Sequence, residues 1–559
     1  MDKIKIVFLG GLDEFYKSCI AIEINNDIFV VECGLKYPDV TKPGIDYVIP
    51  RYDYLMENKD RVKGYFLTHG HDSVIGALPY IFKKVPAPIY CTNITKLFLF
   101  MFCEHNSIDV SDFDIRIVNN DDDIQIGNQL IQLFQTCSNF ANSFGISFNT
   151  NQGNIVFITN CVIDNNNYYG FSLNFARLAS IVAKNKTLVL IQDSIYASNP
   201  GYTNPRHKIM PLVRKSICDS QSGRVIVALE SPDLFNLMAV IYNAHWNKKK
   251  IICYDKSTLE IVNALFETKC FTVPKDIIVP MEEVNRMRAN ELIIILTGFS
   301  SRLFFKIALL ANNNHDEQIF HLNETDTFII ASHADSSAEI AKTDAIDQLY
   351  KTNVKIQVFD KPEFLIMHSS QEDIRTIISM LKPRYYVPYN GTFVKLLDNA
   401  KLALTMNIGL NHNSVFVLDN GDALEIDNFV AKVLPKHVLN GNLYVDGKGV
   451  GDVPSEVLEE RQRFSDDGII ILAATVSKSK REIVLGPDIQ SRGLLFVKES
   501  DSLMKEIEKI FLSNIKLELA KENYSRTYLE NNIKEQVFKS IRRHILKSPT
   551  IIPIIVEIE

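Results

Sequence analysis

The sequence predicts an α/β protein in which a mixed sheet layered with helices is interrupted by a parallel, doubly wound unit and followed by a small α/β tail. Three observations carry this reading. Through about residue 160, short β-rich runs alternate with turns rich in Gly, Asn and Asp; from about residue 205, longer apolar strands alternate with amphipathic helices; near residue 385, "YYVPYNG" resumes the first texture. A return to the first style implies that the middle unit is inserted and that the first fold is completed after it.

In the first part the strand candidates are "KIKIVFLGG", "CIAIEIN", "DIFVVECG" and "VKGYFLTH", then a helix over "SVIGALPYIFKKV", then "APIYCT", "FDIRIV", "QLIQLFQT", "SFGISFNT" and "NIVFITN". In the inserted part "GRVIVALES", "KKIICYD", "ELIIILTG" and "TFIIASH" read as buried parallel strands, with "LFNLMAVIYNAHWN" as a helix between them. A polar stretch of low periodicity covers 426–446. Beyond it "DGIIILAATVSKSKREIVLGPDI" alternates as a hairpin, "DSLMKEIEKIFL" and "YLENNIKEQVFKSIRRHIL" have helical spacing, and "TIIPIIVEI" closes as a strand.

Length and composition agree. With 559 residues, 46% hydrophobic and 23% charged, the chain is too long for one core and can bury several. A formal net charge of -7 neither announces nor excludes a nucleic-acid partner, which would need a local basic groove. The 9 cysteines are scattered without a Cys-x-x-Cys pair, the usage of a reducing compartment. "MDKIKIVFLGG" is too short an apolar run for a leader, and no run approaches the about 18 apolar residues of a span, so a cytoplasmic protein without a membrane segment is expected.

The chemistry concentrates in "FLTHGHDSVIGALPY", where a strand ends in His69 and His71. Neutral imidazoles two residues apart can face one side of a loop and bind zinc; a solvated or merely supporting pair is the plain alternative. The flanking segments decide. "GIDYVIP", "NKDRVKGYFLTHGH", "IGALPY", "QDSIYASNPGYT", "HSSQEDI", "LKPRYYVPYNG", "GKGVGDVPSEVLEERQRFSDDGIIIL" and "LGPDIQSRGLLFVKES" resemble ribonuclease J, a β-CASP nuclease family of the metallo-β-lactamase superfamily. The resemblance implies a metallo-β-lactamase αββα sandwich (1–204 and 370–425), an inserted β-CASP α/β domain (205–369), a linker (426–446) and a small C-terminal α/β domain (447–559).

It also implies two metal ions held by His, Asp and His at strand ends, activating water and clamping the scissile phosphate. In this chain His69 and His71 stand at the first two ligand positions, and Ser73 and Val74 replace the Asp and His that follow. The third-motif histidine corresponds to Ser138, or to Cys137 if the register slips; the bridging Asp corresponds to Cys161, with Asn160 in the place of Gly; the last histidine corresponds to Asn390. Val74 and Asn390 lie on the second metal's side, so that site is expected to be lost. His69, His71 and Cys161 could still hold one zinc, whereas Cys161 could equally be a small buried hydrophobe.

His368, Ser369 and Ser370 in "MHSSQED" match the family's β-CASP histidine near RNA phosphate, and a loop histidine beside a helix cap is the alternative. Of the family's phosphate loop Thr-Gly-Ser-Gln-Gly-Glu-Pro, "LTGFSSRLFF" keeps Thr297 and Gly298, with Phe299 and Arg302 intruding; "SHADSSAE" lacks the family's Pro-x-Pro-Gly-Asn-Glu. Asp193 and Ser194, then Pro200, Gly201 and Thr203, read as architecture first.

Loss confined to metal and phosphate positions, with strands and turns intact, points to a folded protein serving something other than two-metal hydrolysis. The resemblance then implies a weakly active or inactive RNA-binding partner of an active ribonuclease J paralogue, in a homo- or hetero-oligomer, with no cofactor or one zinc. A working zinc-dependent 5'-3' exoribonuclease and endoribonuclease on a reduced site is the alternative, and a pure RNA-binding module a third.

Overall fold

The computed structural model describes residues 1–39, 41–164, 170–203, 209–220, 222–267, 272–312, 320–332, 338–359, 368–494, 500–545 and 547–559. Two compact units result: Met1–Tyr37 with Tyr47–Leu443, and Pro38–Asp46 with Tyr444–Glu559. Most of "SHADSSAE", and part of "LGPDIQSRGLLFVKES", lie outside the described residues.

The first unit is built on two facing sheets. One has eight strands in the order Val430–Leu434, Ala423–Asp427, Ile4–Gly10, Cys19–Ile24, Asp27–Val31, Val62–Leu67, Ile89–Cys91 and Ile115–Ile117. The other has six, in the order Tyr385–Tyr389, Thr187–Asp193, Gly153–Ile158, Phe144–Thr150, Gln129–Gln135 and Asp123–Ile126. Alternate residues explain the packing: Ile4, Ile6, Phe8, Ile20 and Ile22 from one sheet meet Phe144, Ile146, Phe148, Ile155 and Phe157 from the other in a single apolar cluster. The opposite face of the second sheet, through Val156, Ile158, Leu190 and Tyr386, is covered by helices Phe175–Lys184, Gln371–Leu381 and Phe393–Leu404.

Thr187–Asp193 and Tyr385–Tyr389 are parallel neighbours, with Asp193 opposite Tyr389, although almost two hundred residues separate them in the chain. The intervening chain forms its own sheet in the order Lys250–Cys253, Leu292–Gly298, Val225–Glu230, Thr327–Ala331 and Lys355–Val358, every pair parallel. Its central strands are buried along their length, as a sheet covered by helices on both faces requires. The second unit pairs Ile469–Ser477 antiparallel with Glu482–Arg492 and parallel with Thr550–Ile558. Helices Ser500–Leu519 and Arg526–Ile545 cover one face through Leu503, Ile507, Phe511, Ile533 and Val537.

Two local readings need correction. "SVIGALPYIFKKV" forms two short helices, Asp72–Ile75 and Leu78–Phe82. Gly76 presses so closely on Leu35 that a Cβ would lie 2.4 Å from its Cδ2, and the carbonyl of Cys33 takes the N–H groups of Ala77 and Leu78 at 2.8 and 3.2 Å. Those contacts break the helix there. The polar stretch carries strands Val430–Leu434 and Asn442–Asp446, the first an exposed sheet edge whose apolar alternation is weak. Helix Asn93–His105 lies between two of the expected strands, and Thr92 before it makes no side-chain cap hydrogen bond.

The inserted sheet is pinned by a buried ion pair. Arg224, just before Val225–Glu230, places Nη2 at 2.6 Å from Oδ2 of Asp326, and both side chains are almost wholly buried. Removing one partner strands the other charge, whereas replacing both removes the problem. Asp326→Ala should therefore lower stability by about 3–5 kcal/mol, and Arg224→Met with Asp326→Leu should recover most of it, measured by denaturant unfolding of the full chain.

Candidate functional site

The site gathers where three strands end. Asp27–Val31 runs into Glu32, Val62–Leu67 into Thr68 and His69, and Gly153–Ile158 into Thr159 and Asn160. Glu32 Oε1 accepts hydrogen bonds from Thr68 Oγ1 at 2.7 Å and Thr159 Oγ1 at 2.8 Å. Glu32 has a left-handed φ of 60°, and burial pushes its carboxyl pKa up.

This carboxylate sets the tautomer of His69. Because the Thr68 hydroxyl donates its hydrogen bond to Glu32, its oxygen accepts from His69 Nδ1–H at 2.9 Å. Nε2 is then the acceptor, and it faces the Nδ2 amide of Asn160 at 2.7 Å. Asn160 reaches it from a left-handed backbone, φ 42°, a conformation Asn tolerates better than most residues. The lone pair that would bind a metal is thus engaged by an amide.

His71 lies with its ring centroid 4.7 Å from that of His69. Phe140 stands edge-on to His71 at 5.6 Å and 6.1 Å from His69, and it is fully buried. Ser138 fixes the turn that aims it: Ser138 Oγ accepts the Phe140 N–H at 3.0 Å and lies 2.9 Å from Ser143 Oγ. A Cβ on Gly70 would come within 2.4 Å of the Phe140 ring, so the ring fills the space against the His-x-His loop. Burial holds His69 well below the ordinary range and His71 down to about 4, keeping both neutral.

The remaining sequence candidates divide. Val74 is buried, and its carbonyl accepts the Cys33 N–H at 2.7 Å; the Ser73 carbonyl accepts the Ser18 N–H at 3.2 Å. Cys161 sits in the apolar cluster with Cys137, Val156 and Ile158, its thiol pushed up to about 12 by burial. Asn390 has φ 55° and a shielded Oδ1 without a protein partner. Among the described residues no three His, Cys, Asp or Glu side chains form a group able to hold a metal ion. Only Nε2 of His71, shielded and unpartnered, remains an open imidazole donor of the pair. The donor set does not fit a metal centre.

His368, Ser369 and Ser370 do come together beside it. His368 Nδ1 bonds Asp193 Oδ2, and its ring lies parallel to Tyr196 at 6.3 Å. Ser369 Oγ donates to the Cys161 carbonyl. Ser370 and Asp373 form a reciprocal capping box at the start of Gln371–Leu381. Sequence reasoning missed Glu32 and Phe140. An acidic residue closing the buried run "DIFVVECG" was a usable signal for the first; nothing local marks the second.

A two-sheet sandwich with its site at the strand ends and a parallel domain inserted between neighbouring strands defines a metallo-β-lactamase fold with a β-CASP insertion. Residues 222–349 match the model of the ribonuclease J β-CASP domain, and 456–558 that of the ribonuclease J C-terminal domain. The chain is 30% identical over 555 residues to ribonuclease J 2 of Staphylococcus aureus (strain NCTC 8325 / PS 47), covering 99% of this chain and 98% of the relative. It is equally similar to ribonuclease J 2 of Staphylococcus epidermidis, again 30% identical over 99% of this chain and 98% of the relative. The chain belongs to the ribonuclease J family, metal-dependent ribonucleases of RNA processing. A solved structure of a protein of unknown function from Enterococcus faecalis V583 shares the fold, at 14% identity and a TM-score of 0.52, covering 76% of this chain and 100% of that one. Among the described residues no helix is long and apolar enough to cross a membrane.

The buried histidines make stability depend on pH. The ordinary value for His71 is 6.5, so its neutral form contributes stability that is complete above about pH 6.5 and lost as pH falls toward 4. Asp233, raised by burial from 3.8 to about 7, acts oppositely: its contribution is complete below 3.8 and lost as pH rises toward 7. His71→Asn isolates the first effect. Its unfolding free energy relative to the parent should rise by on the order of 2 kcal/mol between pH 7 and pH 4.5; a pH-independent difference would show that the ring is not held neutral.

Proposed function

We propose that this protein is a catalytically weak or inactive ribonuclease J that binds RNA and acts as the structural partner of an active family member. One observation carries the reading: the metal-binding lone pair of His69 is taken by Asn160, with the Phe140 ring 6.1 Å from that imidazole. Two-metal hydrolysis draws on metals both to generate hydroxide and to stabilise phosphate charge. Without them turnover should fall by several orders of magnitude, about tenfold for each 1.4 kcal/mol forgone.

A reduced zinc ribonuclease is the second reading, favoured by the open Nε2 of His71. Metal analysis and RNA cleavage on the purified chain, alone and with any copurifying nuclease, separate the two. The expected result is at most one zinc per chain and no useful cleavage. Ser73→Asp, Val74→His, Ser138→His, Cys161→Asp and Asn390→His should restore cleavage only when Asn160→Gly and Phe140→Ala are added. Robust manganese- or zinc-dependent degradation by the unmodified chain, abolished by His71→Ala, would sink the proposal.

The partner role draws support from the second unit. The face of its sheet opposite the helices exposes Ile552, Ile554, Val556 and Ile558 along one strand, with Ile471 directly beside Ile552. An apolar sheet face of this kind suits a second copy of the chain. Ile554→Glu should lower the assembled mass measured by light scattering; an unchanged mass would count against self-association through this face.

A further inference from the structure

Helix Leu234–Trp246 begins beside the candidate site and ends far from it. At its start Asp233 caps the helix, and Pro232 offers its carbonyl to the His71 ring. The helix is 13 residues long, about 20 Å, before the chain turns back into strand Lys250–Cys253. Every residue from Leu234 to Ala244 is buried, and then the burial stops: Trp246, the one tryptophan in the sequence, is 56% exposed.

The indole is held in place. It stacks on Tyr242, one turn back and itself buried, with 5.4 Å between ring centroids and 23° between planes. One face of the indole is thus backed by a fixed ring while the side chain stays open to solvent, which is what stacking on a nucleobase requires. The surroundings are basic. Lys248 follows the helix directly, and Lys249 is anchored on the Asn290 carbonyl. Helix Ile209–Asp219 brings its last turn alongside, with Cys218 Sγ 3.6 Å from Asn247 Oδ1. One turn before Cys218 on that helix stand Arg214 and Lys215, exposed like Lys248. Among the described residues none of these three has an ion-pair partner, and Asp219 beside Cys218 leaves the rim positive.

The core of a protein–protein interface gathers contiguous apolar surface and sheds lysine. Here a single stacked indole is ringed by unpaired cations, the combination of stacking platform and phosphate-neutralising charge suited to a nucleic-acid strand. We propose that Trp246, with Arg214, Lys215 and Lys248, is a stacking site for single-stranded RNA at the end of the inserted domain remote from His69 and His71. The inference rests on the RNA-binding reading given above and adds where a strand is held. Binding there does not depend on the state of the two histidines.

The full chain carries its own probe, because no other tryptophan contributes to its emission. A short oligoadenylate should quench that emission, whereas inorganic polyphosphate of matched charge, which cannot stack, should not. Affinities are read from the anisotropy of the same RNA carrying a dye. Trp246→Ala should weaken binding about tenfold. Trp246→Phe, which keeps a ring on Tyr242 and controls for folding, should weaken it far less. Lys215→Glu with Lys248→Glu should weaken binding and flatten its dependence on salt. Unquenched emission while the labelled RNA binds, or equal affinity in Trp246→Ala, would overturn the proposal and leave the RNA-binding reading standing. So would a smaller assembled mass in Trp246→Ala with RNA affinity unchanged, the sign of a protein on this surface. Failure of the unmodified chain to bind the labelled RNA at all would sink both.

Discussion

A buried carboxylate ties the two sheets of the sandwich together at their functional end. Glu32 accepts one hydroxyl from Thr68, on the first sheet's side, and one from Thr159, on the second's. Each later step follows from hydrogen-bond direction: the Thr68 hydroxyl donates to Glu32, the His69 Nδ1–H donates to Thr68, and the remaining His69 nitrogen must accept. Asn160 supplies that donor. The hydrogen-bonded chain leaves Glu32 Oε2 and Asn160 Oδ1 without protein partners, yet its direction requires a donor opposite His69 Nε2.

The inserted domain completes the enclosure. The Phe235 N–H donates to the Asn139 carbonyl at 3.1 Å, next to the turn that carries Phe140, and the Phe235 ring meets Phe171 edge-on at 5.4 Å. The Phe140 turn is therefore held by the sandwich through Ser138 and Ser143 and by the insertion through Asn139. Phe98 backs the Phe140 ring at 5.0 Å. A ring so braced is part of a packed core, and its position does not depend on a bound ion.

The sequence made the architecture legible wherever burial alternates or runs unbroken. Ile4, Ile6 and Phe8 announce a half-buried strand, and "ELIIILTG" announces a strand covered on both faces. Val430–Leu434 escaped because an exposed edge strand needs no apolar alternation, and the break at Gly76 escaped because it answers to Leu35, distant in sequence. In the site, the histidines and the departures at Ser73, Val74, Ser138, Cys161 and Asn390 are visible in a linear reading matched to a family. What fills the space they leave is not. Phe140 and the amide of Asn160 matter only through residues that the fold brings to them from other strands.

If the site descends from a metal centre, as the proposed function has it, its packing has a physical explanation. Losing ligands one at a time from a metal centre would leave His69 and His71 buried with unsatisfied nitrogens, a cost of the order of 1–3 kcal/mol for each orphaned group. The Asn160 amide removes the cost at His69, and Phe140 supplies ring packing to both imidazoles. Around His69 the arrangement is that of a packed, hydrogen-bonded core, whereas His71 Nε2 keeps no protein partner. Residues that share partners in this way do not add independently. Returning carboxylates and imidazoles to their old positions leaves the amide and the ring in place, and removing the amide and the ring alone leaves buried nitrogens bare. Neither half of the change is favourable without the other, so the present arrangement is a local minimum held by packing and hydrogen bonds together.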